Sequence, residues 1–185
     1  MKSGLFKVWF WLLLLPGCAT LHPPGDEQDL AAAPEADRLV LWMLSDIQPE
    51  SPAGRIDFER AVLDVAAHVP GIDLAIIAGD LLQSRSTPED FQWFLETRDR
   101  AAVPQWFELA GNHDVRNGEL FRRYFPKPWH YAVSVGNVLI LLLSDETRSS
   151  ATDISGPAFE WWREQVLANP DRIILTVTHA PLRQS

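Results

Sequence analysis

Cysteine is almost missing, with one residue in 185. A single thiol builds neither an internal disulfide framework nor a thiolate zinc cluster. Cations are scarce as well: 16 Lys and Arg against 25 Asp and Glu leave a formal net charge of −9. A protein that grips a phosphate backbone needs a basic footprint, so nucleic acid is not the expected partner and a nuclease is disfavoured. No apolar run approaches the ~18 residues of a membrane-crossing helix. Internal repeats and low-complexity blocks are absent. What the chain has in quantity is apolar side chains, 46% hydrophobic against 22% charged with eight tryptophans, the balance of an ordinary folded domain.

The first residues read as export machinery. Lys2 and Lys7 precede the short apolar run Val8 to Leu15, the n-region and h-region of a secretory signal. The sequence Leu15-Pro16-Gly17-Cys18 then resembles the lipobox of bacterial lipoproteins. That resemblance implies a signal peptide over 1–17, lipidation at Cys18 and a membrane anchor. Ala19, with no aspartate after the cysteine, resembles outer-membrane sorting, so the expected location is the bacterial cell envelope, facing the periplasm. Residues 18–37 are rich in Pro, Gly, Ala and acids and lack apolar periodicity, which predicts a flexible tether. The domain itself is expected over 38–185.

Within it, Leu39 to Leu44 forms an apolar run that fits a strand buried on both faces. Phe58, Val62, Val65 and Val69 mark one face of a helix, stopped by Pro70-Gly71. Leu74 to Ala78 is a second strand. Thr87-Pro88-Glu89-Asp90 combines a hydroxyl N-cap, a first-turn proline and first-turn acids, and so opens a helix with Phe91, Phe94, Leu95 and Ala102 facing inward. Trp106 to Leu109 is a third strand. Tyr131–Val135 and Val138–Leu143 flank Gly136-Asn137, a two-residue hairpin signal. A helix from Gly156-Pro157, with Phe159, Trp162 and Val166 on one face, and a strand from Arg172 to Thr178 follow. This order predicts an α/β fold with a mixed sheet. The stretches 48–56, 82–87 and 115–130 are expected as loops that choose the substrate.

Polar residues fall at the strand ends. Asp46, Asp80, Asn112 and His179 each stand at or just after the C-terminal end of a predicted strand, the edge where open α/β sheets bind ligands. Each alone has a bland explanation as a turn or cap residue. Together they make a cluster in which close carboxylates repel unless a cation or proton lies between them. Carboxylate, carboxamide and imidazole donors without thiolate suit Mn, Fe or Zn. His113, followed by Asp114, is a candidate general acid whose imidazole a neighbouring carboxylate can orient.

Ser45-Asp46-Ile47-Gln48, Gly79-Asp80, Gly111-Asn112-His113-Asp114 and Thr178-His179-Ala180-Pro181 resemble four signatures of the calcineurin-like metallophosphoesterases, in order. The resemblance implies a four-layer αββα sandwich carrying two divalent metal ions. It implies Asp46 and Gln48 on the first metal, Asp80 bridging both, and Asn112 and His179 on the second. It further implies a metal-bound hydroxide attacking a phosphate mono- or diester, with His113 as proton donor held by Asp114. Two departures qualify the expectation. Gln48 stands where the family usually has histidine, and a carboxamide is the harder, weaker ligand. The Gly-His-x-His signature is absent, so the domain is expected to be C-terminally incomplete, to bind metal weakly and to turn over slowly. The competing expectation is a non-catalytic lipoprotein that keeps the fold as a binding scaffold.

Overall fold

In the computed structural model, which describes residues 27–29, 38–144 and 156–179, short strands are laid down in two separate sheets. In chain order the elements are β1 (Glu27–Asp29), β2 (Leu41–Leu44), α1 (Pro52–His68), β3 (Leu74–Ala78), α2 (Pro88–Asp99) and β4 (Trp106–Leu109). They continue with α3 (Asn112–Arg116), α4 (Gly118–Tyr124), β5 (His130–Val135), β6 (Val138–Leu143), α5 (Gly156–Ala168) and β7 (Ile173–Thr178). One sheet is β2-β3-β4, all parallel; the other is β1-β5-β6-β7, with only β5 and β6 antiparallel.

Period-two alternation sorts the side chains into layers. Leu74 and Ile76 of β3, Phe107 and Leu109 of β4, Tyr131 and Val133 of β5, and Ile140 and Leu142 of β6 form the core between the sheets. The other face of β3 sends Ile77 against Phe58 and Val62 of α1 and Phe91 and Phe94 of α2. The outer faces of β5 and β6 bury Ala132, Leu139, Leu141 and Leu143 against Trp161, Trp162 and Val166 of α5. Helices, sheet, sheet, helix: the four-layer αββα architecture stands as expected.

Local chemistry explains where the elements begin. Ser51 caps α1 by accepting from the Gly54 amide at 3.3 Å, with Pro52 at the first position. Asp90 reaches back to the Thr87 amide at 2.8 Å and starts α2. Gly136 has φ +54 while Asn137 is not left-handed, as a type II′ hairpin requires, and Val135 pairs with Val138 across it.

Several expectations need correction. Within 18–37, Glu27–Asp29 pairs in parallel with Ala132–Ser134, so that part of the expected tether is a strand. The stretch 115–130 is not an open loop: it holds the last two residues of α3 and all of α4, elements too short to show periodicity, with Phe121 and Phe125 buried. Likewise 48–56 already contains the first turn of α1. Ala102 does not face inward; it is exposed at φ +54 just beyond α2. On α5, Phe159 is exposed, while Trp162 and Val166 pack inward as expected. Residues 1–17, Cys18, Pro181 and the rest of the chain's last few residues lie outside those described. Among the described residues no helix is long and apolar enough to cross a membrane.

One polar cluster lies in this core. Glu108, on the helix-facing side of β4 and 3% exposed, accepts from Arg98 of α2 and from Lys127 Nζ at 3.0 Å. Arg98 lies 5.3 Å from the Trp106 ring and 5.7 Å from the Phe125 ring. Removing the carboxylate strands two largely buried cations, so Glu108→Ala is expected to cost about 3–5 kcal/mol of stability in urea unfolding. A loss under ~1 kcal/mol would mean that the cluster does not pin α2 to the sheet.

Candidate metal centre

The backbone ladder between β2 and β3 runs past the ends of both strands. The Asp46 amide donates to Gly79 O at 3.1 Å, and the Gln48 amide to Asp80 O at 3.2 Å. Two loops are thereby registered against each other as tightly as the strands beneath them. Asp46 and Asp80 both have φ of 53°, in the left-handed region that aspartate tolerates better than most residues. Such conformations cost on the order of 1–3 kcal/mol each and cluster at functional sites.

The two glycines of the motifs are needed for close approach. A Cβ on Gly79, whose φ is +88, would lie 2.7 Å from the His179 ring. A Cβ on Gly111 would lie 2.3 Å from Asp80 Oδ1 and 2.8 Å from the His179 ring. The end of β7, in one sheet, thus meets the ends of β3 and β4, in the other, with no space for a side chain between.

Asp46, Asp80 and His179 each present a donor atom, all within 4.8 Å of one another. His179 Nδ1 lies 2.9 Å from the Ala78 carbonyl, which can only accept, so Nδ1 carries the hydrogen. The lone pair of Nε2 then faces Asp80 Oδ2 at 3.5 Å. Two electron-rich atoms held this way call for a proton or a metal cation between them. Ser45 donates to Asp46 Oδ2 at 2.5 Å. Burial by itself would push the Asp80 carboxyl up. When a proton occupies Nε2, the His179 side chain, with the His113 amide at 2.8 Å, outweighs it and holds the carboxyl below its usual range.

The remaining candidates collect around this trio. Gln48 is tied to Asp80 through its amide, and its Oε1 is buried with no hydrogen-bond partner. A buried carboxamide oxygen without a partner is a candidate cation ligand. Asn112 opens α3 between Gly111 and His113, both in direct contact with Asp80. Donor chemistry, the orphaned oxygen and the glycine cradle fit divalent cations held by oxygen and nitrogen.

Asp114 is arranged differently from the expectation that it holds His113. Its Oδ2 accepts from the Gly111 amide at 2.9 Å and the Leu81 amide at 3.3 Å, bracing the two motif loops together. Burial pushes this carboxyl up to about 7. The Gly111 amide works against the rise, and the nearby charge of Asp80 adds to it. The group that touches the His113 ring is Ser84, with Oγ 3.1 Å from Nδ1. Nothing in the sequence singles out Ser84, which lies 29 residues from its partner.

Fold and centre define a class, an αββα sandwich with a cation site where parallel strands end. The family model for calcineurin-like phosphoesterases matches residues 39–185, and the chain belongs to that family. A search of curated proteins gives no match.

The glycine cradle makes a direct prediction. Gly111→Ala forces Asp80 aside and is expected to weaken Mn²⁺ binding about 10–100-fold by titration calorimetry, the range for residues that position ligands. An affinity within twofold of the parent would show that the close approach is not needed to hold the ion.

Proposed function

We propose that this protein hydrolyses phosphate mono- or diesters at a pair of divalent metal ions, at the bacterial envelope. The observation that carries the hydrolytic reading is the convergence of Asp46, Asp80 and His179 on one 4.8 Å cluster in a chain of the calcineurin-like phosphoesterase family. Asp46 and Gln48 would hold one ion, Asn112 and His179 the other, and Asp80, the most buried carboxylate of the trio, would bridge them. Bound there, the ions supply Lewis-acid polarisation of the phosphoryl group and activation of water near neutral pH.

The chain's own groups do the rest. The Ala78 carbonyl fixes the His179 tautomer and so aims Nε2 inward. The His113 amide and Gly111 fix Asp80. Ser84 on Nδ1 of His113 leaves Nε2 as the edge that would carry a proton to the leaving oxygen, which otherwise departs as a poorly stabilised anion. Asp114 acts indirectly, by keeping the 79–81 and 111–114 backbones in register.

With Mn²⁺ present, hydrolysis of p-nitrophenyl phosphate or its bis-ester is expected, slowed by a carboxamide at Gln48 where imidazole would bind the ion more strongly. Asp80→Asn should bring it to background. His113→Ala should lower kcat about 10²–10⁴-fold while Mn²⁺ affinity holds within a few-fold. Turnover that persists in Asp80→Asn would refute the metal-dependent reading. No turnover in the parent, alongside intact Mn²⁺ binding, would favour the scaffold alternative. The envelope part of the proposal rests on Cys18 and the preceding apolar run. Labelled palmitate should be incorporated by bacteria expressing the chain and lost in Cys18→Ser; labelling of neither would remove the anchor.

A further inference from the structure

Next to His113 the surface opens into a cavity of about 400 Å³ lined by Gln83, Ser84, Arg85 and Arg116. Two of its lining residues bond to residues at the candidate metal centre. Ser84 touches the His113 ring, and the Gln83 side chain donates to the Gln48 carbonyl at 2.8 Å. Arg116 belongs to α3, three residues beyond His113 and four beyond Asn112, spacings that put all three on neighbouring positions of one helix face. The loop carrying Arg85 is fastened to the start of α4 by Asn117 Nδ2 donating to Ser86 O at 2.9 Å. The cavity is therefore a built feature, anchored to the same loops as the metal ligands.

Its charge runs against that of the chain. The net charge is −9, yet 82–87 and 115–118 hold two arginines and no acid. Two guanidinium groups and a hydroxyl match the oxygens of a tetrahedral dianion, and guanidinium forks suit phosphate better than any other cationic side chain. The volume lies in the range of small-ligand sites. The cavity adjoins the histidine that faces the leaving oxygen, so its occupant would be attached to the leaving group.

We propose that Arg85 and Arg116 form a subsite for a second phosphoryl group, and that the preferred substrates carry two phosphoryl groups in tandem. This deepens the phosphoesterase reading and rests on it for the position of the scissile bond. The subsite itself is a binding claim that stands apart from turnover.

The test is titration of the full chain, at one fixed free Mn²⁺ concentration, with inorganic pyrophosphate and with inorganic orthophosphate. Pyrophosphate should bind at least about tenfold more tightly, the worth of one or two charge-assisted hydrogen bonds. That preference should vanish in R85Q/R116Q and be weakened but retained in R85K/R116K, while orthophosphate affinity stays within twofold in all three. Both arginines are exposed, so circular dichroism should be unchanged. Equal affinity for the two anions in the parent, or a preference that survives R85Q/R116Q, would overturn the proposal. The p-nitrophenyl phosphate assay reads the hydrolytic function separately. Arginine-dependent pyrophosphate preference without turnover keeps the subsite and removes the hydrolysis. Turnover without the preference does the reverse.

Discussion

Everything at the functional end of this molecule depends on how closely two sheets approach at Ala78-Gly79-Asp80. His179 arrives from the end of β7 and gives its Nδ1 hydrogen to Ala78, a residue of the other sheet. Gly111 arrives from the end of β4 and lies against Asp80 with no space for a methyl group. The result is a carboxylate facing an imidazole lone pair, a contact that is unfavourable in itself and becomes favourable around a cation. Packing between the sheets is what enforces it. Ile76, Leu109, Leu142 and Val177 hold the strand ends in place, and the polar atoms inherit their positions from that apolar core.

The loops at this edge carry backbone conformations that a free chain would avoid. Asp46 and Asp80 are both left-handed, and neither is a glycine. What offsets the cost is a set of hydrogen bonds that extends the β2–β3 ladder by four residues and adds Asp114 as a brace across two loops. Burial raises the Asp114 carboxyl, while the Gly111 and Leu81 amides that it accepts from tie it to both loops beside Asp80. The same rigid frame extends to Ser84, Arg85 and Arg116, so the chemistry at phosphorus and the recognition of the rest of the substrate share one set of anchored loops.

Much of this was legible in the residues. Apolar runs of strand length marked β2, β3, β4, β6 and β7; β3 and β6 are buried on both faces, but β2, expected to be so, leaves Met43 exposed, and β7 leaves Ile173 exposed. Thr87-Pro88 with Asp90 marked α2 through its capping chemistry, and Gly136-Asn137 marked the hairpin. Polar residues following buried strands gave the site edge, because strand direction alone decides which ends converge. Other features had no local signal. Five- and seven-residue helices are too short to display periodicity, so α3 and α4 read as loop. Ser84 and Glu108 owe their roles to partners far along the chain. Asp114 was read as the partner of its neighbour in sequence; the helix that begins at Asn112 turns it instead toward the backbone of Gly111 and Leu81.

The central claim is that donors from four separate strand ends surround divalent cations. Its most direct test is anomalous diffraction from crystals of the protein grown with Mn²⁺ and collected above the manganese edge. The account predicts density bounded by Asp46, Asp80 and His179, with the side-chain oxygens of Gln48 and Asn112 turned toward it. Strong anomalous density elsewhere on the molecule, with none among these five residues at saturating Mn²⁺, would contradict it.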